Sequence, residues 1–154
     1  MKRLFDPAQA LIILPAAVLR RAAGNTTKMT DANAPVILVV EDEEIVREMV
    51  CMDLEEAGFR VREAANGDEA IRIIRQSTED HAPLQLLFTD IRMPGATDGW
   101  SLAEMARELK PDLKVLYASG FSAEQNREVP GSVFISKPYR TSLLIEKIRQ
   151  LGAV

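Results

Sequence analysis

The chain has 154 residues, 47% of them hydrophobic and 27% charged, with a net charge of −4, which fits one ordinary globular domain. The charge is uneven: residues 1–34 hold five basic residues (Lys2, Arg3, Arg20, Arg21, Lys28) and two acidic ones (Asp6, Asp31), a net of +3, which leaves −7 for the rest. An acidic body offers no electrostatic footprint for nucleic acid. The single cysteine, Cys51, excludes an internal disulfide and fits a reducing compartment.

Residues 1–34 read as an extension outside the core. The apolar run from Ala8 to Leu19 contains Pro15 and is followed by Arg20 and Arg21. It is short for a membrane span. Met29 offers an alternative start with a short polar leader, so 1–28 is expected to be dispensable; a small amphipathic helix or a targeting segment are the other readings. From Pro35 onward, strand and helix alternate. Val36 to Val40 is a β-branched apolar run suited to a strand covered on both faces. Glu41-Asp42-Glu43-Glu44 follows, then a helical pattern to Ala57, with Ile45, Met49, Met52 and Leu54 as its apolar positions and Gly58 as its stop. Cys51 falls in this helix and is expected to be a buried structural thiol.

Phe59 to Ala64 reads as the second strand. Asn66-Gly67 is a turn, and Asp68 to Gln76 a second helix. His81, in the loop before Pro83, has no helical partner pattern and is expected to be exposed. Leu84 to Thr89 is a third strand that ends abruptly at Asp90. Asp98-Gly99 closes the following loop, and Trp100 to Lys110 is a third helix stopped by Pro111, with Trp100 covering the sheet or lying at its rim. Lys114 to Ala118 is the fourth strand. Phe121 to Val129 is a weak fourth helix, in which only Ala123 and Val129 are apolar candidates. Ser132 to Ile135 is the fifth strand, and Lys137-Pro138 follows. Thr141 is placed to cap the last helix, with a stripe of Leu144, Ile148 and Leu151.

Five strands alternating with five helices imply an α/β fold with a parallel sheet and right-handed crossovers. The strand ends then bring Glu41, Asp42, Asp90, Ser119 and Lys137 to the carboxyl edge, where open α/β sheets place their ligands. Three neighbouring carboxylates repel, and a divalent cation relieves that cost. All-oxygen donors of this kind suit Mg2+. A carboxylate nucleophile, a cation and a hydroxyl beside a metal site are the parts needed to form an aspartyl phosphate. The plainer readings stay open: acids favoured at a helix N-terminus for Glu41 to Glu44, a loop-initiating Asp90, a helix-capping Ser119, a solvated Lys137, and plain core for Phe134.

Residues 35–154 resemble the receiver domain of the bacterial two-component response regulators. The carrying motifs are Leu38-Val39-Val40-Glu41-Asp42-Glu43, Thr89-Asp90-Ile91-Arg92-Met93-Pro94-Gly95, Tyr117-Ala118-Ser119-Gly120 and Lys137-Pro138-Tyr139. The resemblance implies a flavodoxin-like doubly wound (βα)5 fold with strand order 2-1-3-4-5. It implies that Asp90 accepts a phosphoryl group, that Glu41 and Asp42 are the acidic pair, and that Arg92 lends a backbone carbonyl to Mg2+. Ser119 takes the switch-hydroxyl position, Lys137 the position of the family's lysine, and Phe134 that of its switch aromatic. Lys137-Pro138 resembles the family's cis peptide. The implied protein is a cytoplasmic, stand-alone signalling domain, chemotaxis-regulator-like. It would be an enzyme only toward its own phosphate. Its partners would be a histidine kinase or histidine phosphotransfer protein and a downstream protein target, with no direct nucleic acid or membrane contact.

Three departures from the family pattern stand out. Ser119 and Lys137 are 18 positions apart, a short interval, so the fourth helix is expected to be short or irregular and the segment to act as a mobile switch. Ala96-Thr97 lengthens the loop after Asp90 by one residue. Phe121, two positions past Ser119, stands where it would shield a phosphoryl group. A flavin protein of the same fold would need a glycine- or hydroxyl-rich loop after the first strand, where acids stand. A haloacid-dehalogenase-like phosphatase would need Asp where Arg92 is. A P-loop enzyme would need its Gly-Lys-Ser/Thr motif. A receiver-like binding module that works without phosphorylation, or a phosphate sink, remains as an alternative.

Overall fold

The computed structural model describes residues 32–78, 83–120 and 127–152. Expectations for residues 1–31, His81, Phe121 and most of the weak fourth helix lie outside the described residues. The elements in order are β1 (Val36–Val40), α1 (Glu44–Glu56), β2 (Arg60–Ala64), α2 (Gly67–Ser77), β3 (Leu84–Asp90), α3 (Gly99–Leu109), β4 (Lys114–Ser119), β5 (Val133–Ser136) and α4 (Thr141–Gln150). All four strand pairings are parallel, and the sheet order is β2-β1-β3-β4-β5. The flavodoxin-like order is thus present, with four helices among the described residues.

Alternation along each strand splits the core into two layers. Leu38, Val40, Leu87, Val115 and Tyr117 face Ala70, Ile71 and Ile74 of α2 and Leu102, Ala103 and Ala106 of α3. Ile37, Val39, Leu86, Phe88 and Leu116 face Val50, Cys51 and Leu54 of α1 and Leu144 and Ile148 of α4. Every residue of β1 is buried, so its unbroken apolar run has helices on both sides. Each such aliphatic side chain contributes about 1.5–3 kcal/mol of burial free energy. Trp100 is buried in the first layer, as the sequence reading allowed.

Several local expectations are corrected. The face of α1 turned to the sheet is Val50, Cys51 and Leu54, whereas Ile45 is 75% exposed and Met49 48%. The spacing of 50, 51 and 54 is one helical stripe, and Ile45 and Met49 lie off it. Phe59 precedes β2 rather than opening it; its amide donates to Leu54 O at 3.1 Å and its ring is buried beside α1. Gly58 supplies the left-handed residue that ends α1, with φ +99°. Thr141 does not cap α4: Arg140 occupies the N-cap without a side-chain bond, and the Thr141 hydroxyl instead bonds Asp53 of α1. Residues 127–129, assigned to the end of a fourth helix, are not helical. Val129 is nevertheless buried, and its amide donates to the Tyr117 hydroxyl at 3.3 Å. In the interval between Ser119 and Lys137 the chain ahead of β5 is therefore irregular at residues 127–129 and pinned to the core at Val129.

Candidate phosphoacceptor site

Each polar group at the carboxyl edge is delivered by the end of a strand. Glu41 directly follows β1 and extends its pairing, its amide donating to Ala64 O at 3.2 Å. The Glu41 side chain turns back under the next bend, where Oε1 accepts from the Glu43 amide at 3.2 Å. Asp90 is the last residue of β3 and stands level with Ala118 of β4. Ser119 ends β4 and stands level with Ser136, the last residue of β5. Lys137 follows at once, and its amide donates to Ser119 O at 2.8 Å. The Lys137-Pro138 bond is cis.

These placements converge on one cluster. Lys137 Nζ donates to Glu41 Oε2 at 2.9 Å and to Asp90 Oδ2 at 3.2 Å. Carboxylate oxygens of Glu41, Asp42 and Asp90 lie within 4.8 Å of one another. Only 8% of the Glu41 side chain and 13% of the Asp90 side chain is exposed, against 29% for Lys137. Burial raises the Glu41 carboxyl above the ordinary carboxylate range; the Lys137 hydrogen bond and the Glu43 amide only partly oppose it. At Lys137 burial works against the charged form, but the Glu41 hydrogen bond and the Asp90 charge outweigh it and raise the ammonium's pKa. Lys137 is therefore a cation at neutral pH. One ammonium cannot neutralise three carboxylates, so the cluster keeps a negative excess on oxygen donors. That donor set fits a hard divalent cation.

The turn after Asp90 is packed without slack. The Gly99 amide donates to Ile91 O at 2.8 Å, and a Cβ on Gly99 would stand 2.2 Å from Asp90 O. Asp98 caps α3 through its carboxylate on the Ser101 amide at 2.8 Å. The extra loop residue is accommodated against α2, where the Thr97 hydroxyl donates to Asp68 Oδ1 at 3.0 Å and its methyl abuts Gly67. Phe134 is half-buried and stacks on Tyr117 at a centroid distance of 5.0 Å, with Trp100 beside both. Arg92 has an exposed side chain outside the cluster. Arg47 escaped the sequence reading: its Nη1 donates to Glu41 O at 2.8 Å. No residue pattern marks that tie, which joins a helix side chain to a backbone carbonyl through space.

Residues 37–149 match the profile of the response regulator receiver domain. The chain belongs to that family. It is 34% identical over 119 residues to the response regulator receiver protein CpdR of Brucella abortus, covering 75% of this chain and 94% of that one. The crystal structure of a response regulator receiver protein from Sinorhizobium medicae superposes with a TM-score of 0.71 at 32% identity, covering 79% of this chain and 96% of that one. The receiver domain of the hybrid histidine kinase CckA gives a TM-score of 0.65 at 34% identity, covering 75% and 97%. Two further relatives are longer proteins, of which the chain spans 48% and 13%. The protein is thus a receiver of the two-component systems, a phosphoacceptor signalling class built to work with histidine kinases and not a classical enzyme family. No helix among the described residues is long and apolar enough to cross a membrane.

Proposed function

We propose that Asp90 is the phosphoacceptor and that the chain is a response regulator whose output is a protein contact. The observation that carries this is the Lys137 ammonium held between Glu41 and Asp90 at a strand edge that also presents Asp42. An Asp90 oxygen attacks the phosphorus of a partner phosphohistidine, on a kinase or a phosphotransfer protein. The new O–P bond forms as the P–N bond breaks, and the electron pair leaves with the imidazole. Lys137 sits where its charge meets the incoming phosphoryl oxygens, and Ser119 supplies a hydroxyl from the next rung. Glu41, Asp42 and Asp90, with the Arg92 carbonyl, would hold Mg2+, whose charge when bound offsets that of the phosphoryl group. Catalysis is confined to the chain's own phosphorylation and dephosphorylation.

The doubly charged group added at Asp90 attracts Lys137 and Ser119 and biases a two-state surface in which Phe134 takes part. Residues 35–154 form the receiver, which acts in the cytoplasm where the kinase is met, and 1–34 an extension of which 1–28 is dispensable, the native chain starting at Met29. N-terminal sequencing of the native protein checks the extension; retention from Met1 refutes it. For the function, the test is incubation with acetyl phosphate or phosphoramidate and Mg2+. One phosphoryl group per chain is expected, with none on Asp90→Asn; labelling of that variant, or labelling without a divalent cation, overturns the assignment. The likeness to the CckA receiver favours one second reading, a phosphate sink in a relay. Rapid transfer with no phosphorylation-dependent partner would mark that role.

A further inference from the structure

The carbonyl of Glu41 lies beyond the last rung of β1, where strand pairing no longer holds the chain. Its peptide plane joins the two acids of the β1–α1 turn, so its orientation decides where Asp42 points. Arg47 reaches back six residues to that carbonyl, with Nη1 at 2.8 Å from Glu41 O. The same guanidinium pairs through Nε with Glu63 Oε2 on β2 at 3.5 Å. Its side chain is only 14% exposed. The same Glu63 oxygen also accepts from the Cys51 thiol at 3.8 Å. The Arg47 backbone is anchored separately, its amide donating to Glu43 O at 2.9 Å in the first turn of α1. A rigid planar fork therefore spans β2, the end of β1 and the start of α1.

We infer that Arg47 is a positioning residue for the metal site: it fixes the Glu41–Asp42 peptide and so holds Asp42 in register with Glu41 and Asp90. This rests on the reading of those three carboxylates as the Mg2+ ligands. Lys137 holds the Glu41 and Asp90 side chains independently, so losing Arg47 frees Asp42 alone. Partners that orient metal ligands from behind typically change affinity by about 10–100-fold when removed. The sign separates position from charge. Removing a nearby cation would by its field alone tighten Mg2+ binding, whereas losing the grip on Asp42 weakens it.

Calorimetric titration of MgCl2 into the full chain tests this, with urea unfolding of each variant in the absence of Mg2+. Arg47→Met is expected to raise the Mg2+ Kd about tenfold while labelling by acetyl phosphate at saturating Mg2+ stays within about threefold of wild type. Arg47→Lys, which can reach the carbonyl or Glu63 but not both, is expected to fall between. Unchanged or tighter Mg2+ binding by Arg47→Met overturns the inference. If that variant does not fold, Arg47→Lys decides: weakened binding with a wild-type unfolding midpoint supports the grip, and wild-type binding overturns it. A wild-type chain that binds no Mg2+ removes the metal reading and this inference together, whereas wild-type binding with an indifferent Arg47→Met removes this inference alone.

Discussion

Cys51 lies in the layer between α1 and the sheet, only 9% exposed. Its pKa is pushed up from 9.0 to about 12, first by burial and then by the negative charges of Glu63 and Glu55. A thiol in that state is neither a nucleophile nor a redox sensor at physiological pH. At pH 8 iodoacetamide is expected to label the urea-unfolded chain at least about a hundredfold faster than the folded one; equal rates would contradict the burial. The same shift links stability to pH. Between pH 9 and about 12 the folded state keeps a proton that the unfolded state has lost. Stability from this group is complete below pH 9 and declines across that window. Burial raises Tyr117 and Tyr139 in the same sense, so the decline steepens above pH 10. Unfolding midpoints measured from pH 8 to 12 should fall steadily, and Cys51→Ala should flatten the lower part of the fall.

Among the elements, the junction of β3 and α3 is the least forgiving. Gly99 opens α3 with no room for a side chain: an added Cβ would meet Asp90 O at 2.2 Å and Ile91 Cα at 2.7 Å. Both obstacles are backbone, so neither swings aside. Gly99→Ala is expected to cost about 1–3 kcal/mol, read as a lower urea midpoint, and to slow phosphodonor labelling because Asp90 itself must shift. A variant with wild-type midpoint and labelling would show that the junction is looser than its geometry. β1 and the inner parts of β3 and β4 were legible in the sequence because they are buried on both faces and write apolar runs, whereas the edge strand β2, with Arg60, Arg62 and Glu63, was legible from the turn signals at Gly58 and Asn66-Gly67 that bound it. The cluster of Glu41, Asp42, Asp90 and Lys137 was legible because parallel strands send all their ends to one edge. The orientation of α1 was not, since its apolar residues outnumber the positions the sheet can cover and Ile45 and Met49 are left outside. Nor were the side-chain ties Arg47 to Glu41 O and Thr141 to Asp53, which join residues through space with no periodic trace.

For the whole molecule, the two core layers are unlike in content. The layer under α2 and α3 contains the aromatic group of Trp100, Tyr117 and Phe134, with centroids 4.8 to 5.8 Å apart. Trp100 follows Gly99, which abuts Asp90, while Tyr117 and Phe134 lie on β4 and β5 just before Ser119 and Lys137. The chain's one tryptophan thus sits where both ends of the site meet. Phosphorylation is expected to change its emission, and Asp90→Asn to be silent under the same phosphodonor. Identical spectra with and without full phosphorylation of the wild type would place the response elsewhere in the molecule.

One further property follows from how Lys137 is held. Its side chain touches Asp90, its amide bonds Ser119 O, and the Ile91 amide bonds Ala118 O at 3.2 Å. Asp90, Lys137, Ser119, Ala118 and Ile91 therefore form a closed circuit of covalent and hydrogen bonds with no loose end. In an open chain of contacts a disturbance dies away at the first soft joint. In a closed circuit each member is braced from two directions, so a displacement at Asp90 reaches Ser119 by two routes, through Lys137 and through Ile91 and Ala118.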